Sequence, residues 1–137
     1  MVTVITIETT VNAPLAKVWQ YWTGPEHIIQ WNAANDDWHT TKSENDLQVG
    51  GKFSARMEAK DGSFGFDFGG TYTEVIPQQR IAYALEDDRT VTITFDQTQN
   101  GVTVTEQFEA ETENEAELQR SGWQAILDNF KKYTEGN

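Results

Sequence analysis

The sequence predicts an α+β domain in which a curved antiparallel β-sheet wraps around a long C-terminal helix, with two short helices after the first strand. Three observations carry this prediction. The N-terminal VTVITIET alternates β-branched and polar side chains. The middle of the chain is a succession of strand patterns parted by short turn signals, and its last quarter repeats apolar residues at helical spacing.

The elements follow in order. Alternation over 2–10 sets Val2, Val4 and Thr6 on one side of a strand and Thr3, Ile5 and Ile7 on the other. Pro14 suits the first turn of a helix over 14–22, whose apolar side is Val18, Trp19 and Trp22. In TGPEH, Thr23 is the expected cap and Glu26 its third helical residue, opening a second short helix with Ile28, Ile29 and Trp31. From residue 36 come strands at DWHTT, 52–60, 64–76, 80–86, 90–97 and 102–110. KDG at 60–62 and QNG at 99–101 are hairpin signals, because Gly and Asn accept the positive φ that tight turns need, and IPQQR and EDD supply two further reversals. Such short connections cannot hold parallel crossovers, which excludes a dinucleotide-binding βαβ architecture.

Leu118, Gly122, Trp123, Ile126, Leu127 and Phe130 fall on one face of the final helix. Asn114 and Glu117 are spaced for a reciprocal cap, and Lys131 and Lys132 complement the negative end of the helix dipole. Gly122 costs such a helix about 1 kcal/mol relative to alanine, which argues for close packing there. In 64–76, Phe64, Phe66 and Phe68 face one way and Gly65, Asp67 and Gly69 the other, with Gly69 and Gly70 placed for a bend or bulge.

Composition limits the chemistry. A chain of 137 residues fits one domain, here 1–137, without metals or disulfides to hold it. The absence of cysteine excludes disulfide scaffolds, thiol nucleophiles and thiolate metal sites. Ten Lys and Arg against 22 Asp and Glu, a net charge of -12, repel nucleic acid and anionic membranes. No apolar run reaches the length of a membrane span, and no basic segment precedes an apolar one at the N-terminus, so the expectation is a soluble, cytoplasmic chain. GGKF at 50–53 lacks the spacing of a phosphate-binding loop, and His27 and His39 make no zinc signature. None of Ser43, Ser54, Ser63 and Ser121 sits in a nucleophile elbow. No catalytic residue, metal or cofactor is assigned.

A curved sheet gripping a helix leaves room for a cavity, and five tryptophans with the phenylalanine row supply rigid walls. The candidate lining residues are Trp31, Trp38, His39, Arg56, Phe66, Phe68, Tyr72, Glu106, Trp123 and Leu127. Arg56 and Glu106 could be an internal pair orienting a ligand, although strand surfaces commonly display paired charges. Each candidate has a plainer alternative as core, sheet or surface side chain.

The order VWQYWTGPEHIIQW, VGGKFSARM, GGTYTEVIPQQRIAY, TVTITF and GWQAILDNFKKY resembles the family named after the activator of heat-shock-protein ATPase, the AHSA-type domains. The resemblance covers residues 3–133 and implies the helix-grip fold of START-like (SRPBCC, Bet v 1-like) domains, with a hydrophobic cavity between helix and sheet. Trp31 matches the aromatic ending the second short helix, and Gly50, Gly51 and Phe53 match the glycine turn and its strand. Tyr72, Glu74 and Pro77 match GxYxEVxP, and Gly122, Trp123 and Leu127 match the final helix. Fold does not fix function, and three roles stand open. The first is binding or carriage of a small hydrophobic, aromatic or lipid-like molecule. The second is a co-chaperone-like module for a protein partner. The third is cyclase, hydrolase or lyase chemistry in the same cavity, with His39, Tyr72 or Glu106 moving protons.

Overall fold

The computed structural model describes residues 3–137; the expectation for Val2 lies outside them. Strand β1 (Val4–Val11) is followed by α1 (Leu15–Thr23) and α2 (Pro25–Trp31). Six strands follow, β2 (Trp38–Asn45), β3 (Lys52–Ala59), β4 (Gly65–Ile76), β5 (Arg80–Leu85), β6 (Thr90–Thr98) and β7 (Gly101–Glu109), and then α3 (Ala116–Gly136). All seven strands form one antiparallel sheet in the order β1-β7-β6-β5-β4-β3-β2. The expected α+β architecture is therefore present, with a half-barrel sheet around α3.

The predicted hairpins form where expected. Gly62 and Gly101 have φ of 78° and 131°, and Gln78 and Asp88 take positive φ at the other two reversals. β4 runs unbroken through Gly69 and Gly70. A Cβ on Gly69 would stand 2.6 Å from the Phe53 carbonyl oxygen, and one on Gly70 2.3 Å from that of Ala84. Glycine is required there because the flanking strands lean into the space a side chain would take. The register slips instead between Tyr72 and Glu74, and again between Thr40 and Lys42 in β2. Such slips bend and twist a strand.

Local capping departs from the sequence reading in three places. Thr23 does not cap α2: its hydroxyl donates to the Trp19 carbonyl at 2.8 Å, and Gly24 takes the cap position ahead of Pro25. Asn114 and Glu117 form no reciprocal cap. Glu115 is the N-cap of α3 without a side-chain bond, while Gln119 accepts from the Glu111 amide and donates to the Glu111 and Asn114 carbonyls. The helix also continues to Gly136, so Lys131 and Lys132 lie before its last turn.

α3 lies against the sheet chiefly at β1. Arg120 donates to the Thr6 carbonyl at 2.8 Å, Gln124 to that of Glu8 at 3.3 Å and Lys131 to that of Thr10 at 2.7 Å, and Glu135 accepts from the Asn12 amide at 2.8 Å. These four side chains follow one helical stripe and occupy backbone groups along the free edge of β1. At the opposite side α2 packs on β2, and Asn129 on α3 donates to the Trp31 and Ala33 carbonyls. The core fills the space between: Ile5, Ile7, Val11, Val18, Val102, Val104, Phe108, Leu127 and Phe130 are all but fully buried. Trp22, Trp31 and Phe130 pack with ring centroids 4.8 to 5.1 Å apart, both tryptophans meeting Phe130 edge-on, aromatic contacts worth about 0.5–1.5 kcal/mol each beyond burial.

Candidate functional site

With α3 held at β1 and α2 at β2, the first half of α3 stands off the central strands and a cavity of about 470 Å³ remains beneath it. Inward positions of β3, β4 and β5 make the floor: Phe53, Ala55 and Met57, then Phe66, Phe68 and Tyr72, then Ile81 and Tyr83. Trp22, Ile28 and Trp31 close one end, and Leu118, Gln119, Gly122, Trp123 and Ile126 form the roof. Trp123 is fixed in place by stacking on Phe108, with centroids 4.0 Å and planes 10° apart, and meets Phe68 edge-on.

Gly122 has the opposite role from the one its sequence context predicts. A Cβ there would meet nothing within 4 Å. The residue is part of the cavity roof and not a point of close helix–sheet approach.

The polar groups on the walls are few. Tyr72 donates to the Asn45 side-chain oxygen at 2.6 Å, and Asn45 in turn donates to the Thr23 carbonyl at 2.7 Å, which fixes the end of β2 to the end of α1. Burial pushes the Tyr72 hydroxyl up to about 12, against the opposing effect of its bond to Asn45. Tyr83 is also held well above the ordinary phenol value, first by burial and then by the nearby Glu106 and Tyr72. Glu106 belongs to the inward row Val102, Val104, Glu106, Phe108 of β7 and is 6% exposed. Burial alone raises its carboxyl to about 8. Among the described residues, its side chain has no hydrogen-bond or salt-bridge partner in the protein.

Of the sequence candidates, Trp31, Phe66, Phe68, Tyr72, Glu106 and Trp123 come together on the cavity walls. The other four do not. Leu127 is fully buried in the core. His39 stands opposite Glu58 in the β2–β3 register, on the face away from the buried Thr40 and Met57. Arg56 is on that same outer face, bonded to Glu58 at 3.1 Å and near Asp67 at 3.6 Å, so it is one of the paired charges of a strand surface and forms no internal pair with Glu106. The alternation of β3 and β7 explains this: Arg56 falls between inward Ala55 and Met57, whereas Glu106 falls in the inward row. Trp38 packs edge-on against Phe64 and Phe66 outside the cavity walls. Phe64 precedes β4 and is 61% exposed, so it does not continue the inward aromatic row.

The sequence reading did not single out Trp22, Asn45, Phe53 or Tyr83 as wall residues. Tyr83 had a signal, since Ile81, Tyr83 and Leu85 alternate along β5. Asn45 had none, because its partners are distant in sequence. Among the described residues no three His, Asp or Glu side chains come together as a metal site, and no helix is long and apolar enough to cross a membrane.

Comparison with known proteins gives the same architecture. The family described as activator of Hsp90 ATPase homolog 1-like protein matches residues 12–135. The solution structure of an AHSA1-like protein from Aeromonas hydrophila is 46% identical, with a TM-score of 0.93 over 98% of this chain and 93% of that one. Chr148 from Cytophaga hutchinsonii is 49% identical, with a TM-score of 0.84 over 97% and 92% of the two chains. Protein CV1439 from Chromobacterium violaceum, at 24% identity and a TM-score of 0.86 over 98% of each chain, shares the fold. No curated protein matches the sequence significantly. The family match over most of the chain, the two close structural relatives and the helix-over-sheet cavity together establish that the chain belongs to the AHSA1-like family of START-like domains.

Proposed function

We propose that this domain binds a small, mainly apolar molecule in the cavity beneath α3 and holds it without covalent chemistry. The observation that carries the reading is the cavity itself: about 470 Å³, walled by aromatic rings from three strands and all three helices, with a few convergent polar groups. Its size lies within the range of about 300–1,000 Å³ usual for small-molecule sites. Burial of apolar ligand surface supplies the driving force, and Tyr72, Tyr83 and Glu106 would orient the polar end. Trp31, Phe66, Phe68 and Trp123 are the proposed apolar contacts.

The test is a two-dimensional NMR titration with small aromatic, isoprenoid and fatty-acid probes. Saturable shifts at Trp22, Tyr72 and Trp123 in the native chain, lost in Gly122→Leu, are expected; a panel that leaves these signals unmoved overturns the reading. A second role, docking of a protein segment, draws support from the exposed rings of Phe64 and Phe66 beside Trp38. Binding of a protein that persists in Gly122→Leu and is lost in Phe64→Ser would favour it.

A further inference from the structure

We propose that the cavity is selective for a lipophilic amine, whose cationic nitrogen pairs with Glu106 while its apolar body lies against the aromatic walls. The inference rests on the cavity-binding reading above and adds the chemical class of the occupant.

The argument starts from what Glu106 lacks. A carboxyl group nine-tenths buried in an apolar row is costly unless it is paired or protonated. Here the neighbouring positions provide no cation: its register partners are Ile7 on β1 and Ile93 on β6. Across the cavity stand Tyr83 on β5 and Tyr72 on β4, both phenols, with Phe53, Ala55 and Met57 on β3. The cavity-facing residues of α3, from Leu118 to Ile126, include no ionisable group, and Trp22, Ile28 and Trp31 on α1 and α2 include none. Arg89 is the one cation among the described wall residues, and Asp87 holds it at 2.7 Å. The carboxyl is thus an unmatched acid in the cavity, and burial keeps it protonated at neutral pH while the cavity is empty.

Three features favour a cation as its partner. An ammonium group supplies the missing countercharge and hydrogen bonds directly. Rings of Trp22, Phe53, Tyr83 and Trp123 offer π-faces that attract a cation on its way in and shield it once bound. Glu111 on the cavity rim, within a chain of net charge -12, biases the approach toward cations and against fatty-acid carboxylates, whereas Glu44 is already paired with Lys42 at 2.9 Å. Binding an ammonium to the protonated acid releases one proton. Affinity for an amine therefore rises roughly tenfold per pH unit up to about 8, the value for the empty cavity, and then levels off until the amine itself loses its proton.

The experiment compares 4-phenylbutylamine, 4-phenylbutanol and 4-phenylbutan-2-one by calorimetry and NMR on the native chain and on Glu106→Gln, from pH 6.5 to 8.5. The expected result is that the amine binds at least tenfold tighter than the alcohol at pH 8.5. This preference should shrink toward pH 6.5 and disappear in Glu106→Gln, which keeps its alcohol affinity as proof of an intact cavity. Equal affinities of amine and alcohol in the native chain overturn the proposal and leave the cavity reading standing. A ketone that binds more tightly than the amine and is released as pH rises through about 8 overturns it in favour of a protonated carboxyl donating to a carbonyl. If no probe enters the native cavity, both readings fall. The pH profile of the native chain decides the matter even if Glu106→Gln fails to fold.

Discussion

Glu106 and Gly122 each break a local rule, and the cavity explains both. Glu106 is an ionisable carboxyl in a row of valines and a phenylalanine. Its carboxyl has an ordinary value of 4.5 and a folded value of about 8. The folded state therefore holds a proton that the unfolded chain has lost. The stability this contributes is fully present below the ordinary value and disappears as pH rises through about 8. Glu106→Gln has no such dependence. Urea unfolding at several pH values should show the variant gaining on the native chain by up to about 1.4 kcal/mol per pH unit between those limits, with a constant difference above them. Gly122 gives a second prediction: Gly122→Ala meets open space and should stabilise α3 by about 0.5–1 kcal/mol in the same assay. Gly122 was visible in the sequence as an anomaly, and Glu106 as one polar candidate for the wall among several. The structure sets Glu106 in the inward row with Val102, Val104 and Phe108. Helical spacing put Gly122 on the buried face but could not distinguish contact from void, since that depends on how far the helix stands from the sheet. Asn45 was invisible because its role as a link between Tyr72 and the Thr23 carbonyl joins three separate segments.

At the scale of elements, periodicity made the three helices and seven strands legible, because a period of two or of three to four reports only which face is buried. Caps and bulges were less legible. Thr23 and Asn114 have the right chemistry for caps, but the Thr23 hydroxyl donates back to the Trp19 carbonyl and the Asn114 amide to the Glu111 carboxylate, and neither side-chain oxygen accepts from a helix amide. The slip between Tyr72 and Glu74 likewise follows from how β4 must curve to pair with β3 and β5 together. Asn129 offers a test of how α2 is held. Its amide donates to the carbonyl of Trp31, the last residue of the helix, at 3.1 Å and to that of Ala33 just beyond it at 3.2 Å. Asn129→Ala should cost about 1–3 kcal/mol and speed hydrogen exchange over 31–40 more than over β6 and β7. Uniform acceleration would show that Asn129 supports the whole fold and not this junction.

The whole molecule is an open sheet with two edges, and it treats them differently. β2 carries exposed Lys42 and Glu44 and the register slip near Thr41, all of which discourage pairing with another chain. Charge adds to this: with a net -12 at pH 7 and a sequence isoelectric point near 4.4, the surface repels its own copies at neutral pH. Sedimentation should show a monodisperse protein at neutral pH and association as pH approaches 4.4; association that is equally strong at both would mean that an apolar surface, not the loss of charge, drives it. β1 is protected by α3, whose side chains at Arg120, Gln124, Lys131 and Glu135 are bonded along its margin. The second half of α3 is also tied on its other side, through Asn129 to Trp31 and Ala33 and through Tyr133 to His27. Among the described residues, the first half, over the cavity, has its hydrogen bonds to the sheet at β1 alone, joined by the apolar stack of Trp123 on Phe108. That asymmetry sets the cost of lifting residues 116–126 off the cavity: the bonds of Arg120 and Gln124 to β1 and the stack of Trp123 on Phe108 would have to give. Two of those three restraints are polar stitches on the outside of the protein, so the residence time of any occupant could be tuned there without altering a single wall of the chamber that holds it.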